Sequence, residues 1–175
     1  NGLDLEFHLA QYGPPDIGVA LDILSQILEA LTYAHSQGVL HRDIKAGNIL
    51  FVAGREGNPS ISVIDFGLAK VRDDTREIGE GEVTMVGTPR YMSCDQARGL
   101  PYEERSEVYS LGCLAFELFT GQAPFEADTA LELLRLHATE EAPSISDVSP
   151  DREFPEGLSS LVDRCLKKEP EERFQ

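Results

Sequence analysis

Apolar residues recur at Ile17, Leu21, Leu24, Leu28, Leu31 and Ala34, the three-and-four spacing of a helix face. Ile23, Ile27 and Ala30 add a second apolar face, which predicts a central helix. Asp16, after Pro14-Pro15, is the expected N-cap and Gly38 the expected stop. Val39-Leu40, Ile49-Leu50-Phe51-Val52 and Ile61-Ser62-Val63-Ile64 then predict short strands. The turn residues Gly54-Arg55-Glu56-Gly57-Asn58-Pro59 join the last two as a hairpin. From Arg72 to Glu82 charges are dense and periodicity is lost, so a long mobile loop is expected, a kind usually functional or disordered. Helical patterning returns from Arg105 to Thr120, ending at Gly121. A helix capped by Asp128 follows through Leu131, Leu134 and His137, and another runs from Leu158 to Leu166. The pattern is a small β patch among helices, without internal repeats or low-complexity segments.

Composition narrows the class. The chain has 175 residues, 41% hydrophobic and 26% charged, which suits one soluble domain or one large lobe. A net charge of -16 argues against a nucleic-acid surface, which needs clustered Lys and Arg, and against an anionic membrane surface. An acidic face can attract basic substrates, but a solvated surface that maintains solubility is the stronger reading. Cys94, Cys113 and Cys165 form no CxxC pair, which points to a reducing, cytoplasmic setting without structural zinc. No apolar run is expected to span a membrane, because Glu117 interrupts Leu111 to Phe119. The chain starts at Asn1 without a methionine, so a fragment of a longer protein is expected.

The candidate chemistry lies in His41-Arg42-Asp43-Ile44-Lys45-Ala46-Gly47-Asn48, followed by Asp65-Phe66-Gly67. A lone aspartate in a loop is usually a turn or cap residue. Here Lys45, Asn48 and Asp65 follow Asp43 at spacings that suit phosphoryl transfer, a reaction governed by positioning and charge neutralisation. Asp43, on a loop expected between two strands, can accept a proton from an incoming hydroxyl. Lys45 can offset charge on the transferred group. Asn48 and Asp65 offer oxygens to Mg²⁺, which binds few protein groups besides phosphates. Gly67 frees the backbone after Asp65. His35, at a helix end, is expected to be a C-terminal cap, and His8 and His137 carry no pattern.

These residues resemble the C-terminal lobe of the protein kinase family over essentially the whole chain. Gly87-Thr88-Pro89-Arg90-Tyr91-Met92, Tyr109-Ser110-Leu111-Gly112, Gly121-Gln122-Ala123-Pro124-Phe125 and Pro170-Glu171-Glu172-Arg173-Phe174 extend the likeness. Lys45 and Gly87-Thr88-Pro89 resemble the serine/threonine class. Ser93 to Gly99 and the Asp16 to Ser36 helix are most similar to bacterial kinases of eukaryotic type. The resemblance implies an α+β fold, a mainly helical lobe with short β-hairpins, in which residues 1–175 are a partial kinase domain with an activation segment over about 65–95. It also implies ATP and Mg²⁺ as cofactors and Ser/Thr-bearing proteins as substrates.

By the same resemblance Asp43 is the general base, Lys45 the phosphate contact, and Asn48 and Asp65 the metal ligands. His41 and Phe66 stack in the column that aligns the active state, and Leu50 floors the adenine. Arg42 pairs with a phosphate on or beyond the 72–82 loop, with Thr75 and Thr84 as candidate phosphosites. Thr88 helps hold the substrate hydroxyl near Asp43 and Lys45.

Two anchors depart from the family pattern. Cys94-Asp95 replaces Pro-Glu, so a bidentate pair from the shorter Asp95 to Arg173 is expected to need a closer backbone. Glu107 replaces the aspartate that anchors the catalytic loop. It is expected to bend and hold the loop more weakly, so that Glu107→Asp raises stability or rate. The 175 residues contain no glycine-rich phosphate loop, no lysine in a Val-Ala-Ile-Lys context and no partner glutamate helix. A missing N-terminal lobe is therefore expected, and the fragment alone should turn over negligibly. The alternative reading is a pseudokinase or lobe-only scaffold, although such proteins typically lose the base or a metal ligand, and Asp43, Asn48 and Asp65 all remain. A small-molecule phosphotransferase fits less well with Lys45, Gly87-Thr88-Pro89 and Arg173.

Overall fold

A computed structural model of the chain describes residues 3–52, 60–66 and 89–175. Helix α1 (Leu5–Tyr12), which the apolar pattern did not announce, is capped by Asp4, whose carboxylate accepts from Phe7 N at 2.7 Å. Helix α2 (Ile17–Ser36) starts after Asp16 as expected, but Asp16 makes no side-chain cap bond. Gly38 has φ 71° just past its end, as a stop requires. The Val39-Leu40 strand does not form; those residues run irregularly into the 41–48 loop.

Strands β1 (Ile49–Val52) and β2 (Ser60–Val63) pair antiparallel in the register Ile49↔Val63, Leu50↔Ser62, Phe51↔Ile61 and Val52↔Ser60. Helix α1 is stitched to this hairpin by an Asp4↔Leu50 bridge and a Phe51 N to Leu3 O bond of 2.9 Å. The fold is α+β and mainly helical, with one two-stranded sheet among the described residues.

The centre is helix α4 (Glu104–Thr120). Tyr109, Leu114, Phe116, Leu118 and Phe119 are fully buried on it, and the helix is buried nearly all round rather than on one stripe. Each such side chain contributes about 1.5–3 kcal/mol by leaving water. Helix α2 packs its buried face (Ala20, Ile23, Leu24, Ile27, Leu31, Ala34) against α4 and β2. Contrary to expectation, α2 is long and apolar enough to cross a membrane by length and composition. Six of its residues pack on α4 and the hairpin, while Val19, Leu21 and Leu28 stay exposed.

Helix α3 (Cys94–Ala97) opens with a capping box between Ser93 and Gln96. Helix α5 (Ala130–Thr139) is capped by Thr129, which accepts from Glu132 N at 3.2 Å, and not by Asp128. Helices α6 (Ile145–Val148) and α7 (Leu158–Cys165) complete the lobe. A Cβ on Gly112 would lie 2.7 Å from Cys165 Cβ, so only glycine lets α7 press onto the backbone of α4.

Candidate active site

The loop from His41 to Asn48 leaves α2 and enters β1, so Asp43 lies between a helix and a strand rather than between two strands. Two residues with side chains, Arg42 (φ 69°) and Asp65 (φ 63°), adopt the left-handed backbone region. Each costs about 1–2 kcal/mol and persists only where neighbours hold it.

The restraints are on hand. Ile64 N donates to Asn48 O at 3.0 Å, while Ile64 O accepts from His41 Nε2 at 2.9 Å. Asp65 is thereby carried to the 41–48 loop from 22 residues beyond Asp43. His41 Nδ1 accepts from Asp43 N at 3.2 Å, which requires a neutral ring. Burial lowers the pKa of His41, consistent with that role, although the bond to Ile64 opposes the shift. The His41 and Phe66 rings lie 4.6 Å apart and tilted, so the expected stack is present.

Asp43 Oδ2 receives Lys45 Nζ at 2.5 Å and Asn48 Nδ2 at 3.2 Å. Asn48 Nδ2 also donates to Asp43 O at 2.7 Å. Asn48 thus spends its amide nitrogen on Asp43, and its oxygen accepts none of the described hydrogen bonds. Asp65 is exposed, and its carboxylate likewise accepts none of them. Among the described residues no three His, Cys, Asp or Glu side chains converge as a metal cage. One amide oxygen and one carboxylate fit Mg²⁺, a hard cation that keeps water and phosphate ligands. Leu50 is half-buried on β1 beside α1. A Cβ on Gly47 would meet Glu6 Oε2 at 2.8 Å, so its absence lets α1 approach the loop. Thr75, Thr84, Thr88, Gly67 and the 72–82 partner expected for Arg42 lie outside the described residues.

Both altered anchors make direct contacts with the groups expected for them. Arg173 grips Asp95 in a bidentate pair, Nη1 to Oδ2 at 2.8 Å and Nη2 to Oδ1 at 3.1 Å. The shorter carboxylate therefore does not prevent the fork geometry. Ser106 Oγ adds a bond of 2.7 Å to Oδ2, and Arg173 also donates to the carbonyls of Lys167, Arg105 and Lys168. Burial alone would push Asp95 up; the bonds from Arg173 and Ser106 outweigh it and hold the carboxyl below its usual range. Cys94 packs its sulfur beside Arg173 and Lys168 O, and burial pushes its thiol up to about 11.

Glu107 Oε1 accepts from Arg42 N at 2.7 Å, so the longer side chain reaches the loop. Its Oε2 receives His35 Nε2 at 2.6 Å. His35 is therefore a partner of Glu107 through its ring, not simply a cap, a role that helix-end position could not reveal. The sequence reading also missed Glu117, which holds both Tyr91 Oη and, at 3.2 Å, Arg90 Nη2. Its signal was the acidic residue that interrupts the apolar run from Leu111 to Phe119.

The family profile described as the protein kinase domain matches residues 1–175. The chain belongs to the protein kinase domain family. Within it, the chain is 38% identical to the serine/threonine-protein kinase pkn3 of Myxococcus xanthus, covering 98% of this chain and 32% of that protein. It is 34% identical to the probable serine/threonine-protein kinase PknB of Lactococcus lactis, over 99% of this chain and 26% of the relative. Against PknB of Mycobacterium tuberculosis identity is 33%, over 100% of this chain and 27% of that protein. This kinase-domain chain thus spans about a quarter to a third of the length of these relatives, and its likeness to bacterial kinases of eukaryotic type agrees with the expectation from its sequence.

Proposed function

We propose that the protein carrying this chain is a serine/threonine protein kinase that transfers the γ-phosphoryl group of ATP to protein hydroxyls. In this reading residues 1–175 are part of its kinase domain, 65–95 its activation segment, and the cytoplasm its working compartment. The observation that carries it is the junction of Lys45, Asn48 and Asp43 on one carboxylate oxygen, at 2.5 and 3.2 Å. Both bonds use Oδ2, so Oδ1 accepts none of the described hydrogen bonds and can receive a hydroxyl proton. Asp43 takes that proton as the hydroxyl attacks. Lys45 stays beside the reacting oxygens as a point charge that offsets negative charge. Asn48 and Asp65 would hold Mg²⁺, whose charge would neutralise the phosphates. Leu50 supports the adenine, Thr88 orients the hydroxyl, and Arg42 awaits a phosphate on Thr75 or Thr84.

Because the 175 residues contain no glycine-rich loop or strand lysine, the segment alone turns over negligibly. Retention of Asp43, Asn48 and Asp65 favours transfer over a scaffold. The deciding test is Asp43→Asn in the full-length protein, which should lower autophosphorylation about 10²–10⁴-fold. Unchanged autophosphorylation would remove Asp43 as the base.

A further inference from the structure

His137 is fully buried on α5, and its ring meets those of Phe125 and Tyr109 edge-on at 5.1 and 5.8 Å. Tyr109 Oη lies 3.1 Å from His137 Nδ1, while Lys168 Nζ donates to the same Oη at 3.3 Å and to His137 O at 2.9 Å. An ammonium only donates, so among these partners only Nδ1 can take the tyrosine hydrogen. Burial, aided by Lys168, lowers the ring's pKa to about 4 against the pull of the Arg90 and Pro89 backbone, so the ring is neutral. Its one N–H is therefore on Nε2. That nitrogen is buried and has no hydrogen-bond partner among the described residues. An open buried donor is rare in a folded protein and calls for a physical reason.

The backbone beside it belongs to the short 3-10 turn Pro89–Tyr91, on which α5 packs. Pro89 O already accepts from Met92 N at 3.3 Å, whereas Arg90 O accepts none of the described hydrogen bonds. The turn follows Thr88 in the chain, and Tyr91 and Met92 line a recess together with Asp43 and Ile44. On its other side Glu117 of α4 holds Tyr91 Oη and, at 3.2 Å, Arg90 Nη2.

We propose that His137 is a positioning residue for protein substrates, its Nε2–H closing on Arg90 O when a substrate segment enters the recess beside Asp43; this rests on the kinase reading above. Hydrogen bonds of a reacting site are often long in the free protein and tighten in the complex. The donor is aimed from fixed elements, because Tyr109 on α4 holds Nδ1 and Lys168 holds the His137 carbonyl. Arg90 is then gripped at both ends, its side chain by Glu117 and its carbonyl by His137. Lys45 and Asn48 meet Asp43 within the 41–48 loop, away from this turn. The effect therefore falls on capture of the protein substrate rather than on ATP or the transfer step.

The experiment measures phosphorylation of dephosphorylated casein by the full-length protein. His137→Phe keeps an aromatic ring against Phe125 and Tyr109 but has no N–H. It should raise the KM for casein about tenfold, the worth of one hydrogen bond, while kcat and the KM for ATP stay within about twofold. His137→Gln, whose amide nitrogen extends as far as Nε2, should recover most of the loss. His137→Asn extends only as far as Nδ1 and should behave like His137→Phe. An unchanged KM for casein, a fall in kcat in its place, or equal KM values for Gln and Asn would overturn the proposal. If His137→Phe does not fold, the comparison of Gln with Asn decides. A wild-type protein without transfer refutes the kinase reading instead, whereas an active one indifferent to His137 refutes only this inference.

Discussion

Two carboxylate–cation pairs organise the molecule, and they are built on opposite terms. Asp43 and Lys45 meet at 2.5 Å with 27% of each side chain exposed. Asp95 and Arg173 meet at 2.8 Å with 3% and 0% exposed. A partly exposed pair contributes about 0–1 kcal/mol to stability, so the geometry around Asp43 cannot be explained by its folding value. A buried pair is different, because removing one partner strands the other without water. Arg173 also satisfies three backbone carbonyls from two segments and so ties the chain's end to α3 and α4. The loop pair stays open to solvent, while the buried pair is closed to it.

The largest effect should come from Arg173→Ala. It leaves Asp95 uncompensated and should cost about 3–5 kcal/mol in denaturant unfolding; a loss below ~1 kcal/mol would abolish the contrast. At the other site, Asp43→Asn should shift unfolding by no more than about 1 kcal/mol while removing transfer. A larger destabilisation would make that loop structural as well.

Acid should act on the buried region first. His137 is fully buried beside Tyr109 and Lys168, and burial, aided by Lys168, lowers its pKa from 6.5 to about 4. The unfolded chain therefore binds a proton between those values that the folded chain refuses. Stability is full above pH 6.5 and falls by about 3 kcal/mol as pH drops from 6.5 to about 4. Asp95 adds a second loss at lower pH, as the medium passes below 3.8 towards its depressed folded value. Unfolding free energies at pH 7 and pH 4.5 should differ less in His137→Gln than in the unchanged protein; an equal difference would exclude His137 as the source.

Glu107→Asp sharpens the comparison most finely. It should lower stability by about 1.5–3 kcal/mol, the value of a bond to a charged group, because an acid shortened by one methylene gives up its bond to His35 or to Arg42. A rise in melting temperature would restore the original expectation that aspartate suits this position better.

Much of the fold was legible along the chain. The three-and-four spacing from Ile17 to Ala34 specified that α2 is a helix, but Leu21 and Leu28 of that stripe are exposed while Ala20, Ile23 and Ile27 are buried. The hairpin was equally clear from two apolar runs around turn residues. Helix α1 was not, since Phe7 and Tyr12 are exposed and only Leu5 is buried on it, leaving no stripe to read. The Val39-Leu40 strand failed because two apolar residues do not supply a pairing partner. At the site, residue type and spacing identified Asp43, Lys45, Asn48 and Asp65 together. They could not show that Ile64 holds the two segments through both its backbone groups.

The sequence by itself determined the family and the candidate transfer residues, because that chemistry needs particular functional groups at short, readable separations. Only the tertiary structure decided how firmly the anchors hold. Asp95 and Arg173 are 78 residues apart, and Glu107 lies 72 residues from His35. Whether a shorter or longer carboxylate fits depends on where separate helices place its donors, a sum of packing over the whole core that local spacing does not encode.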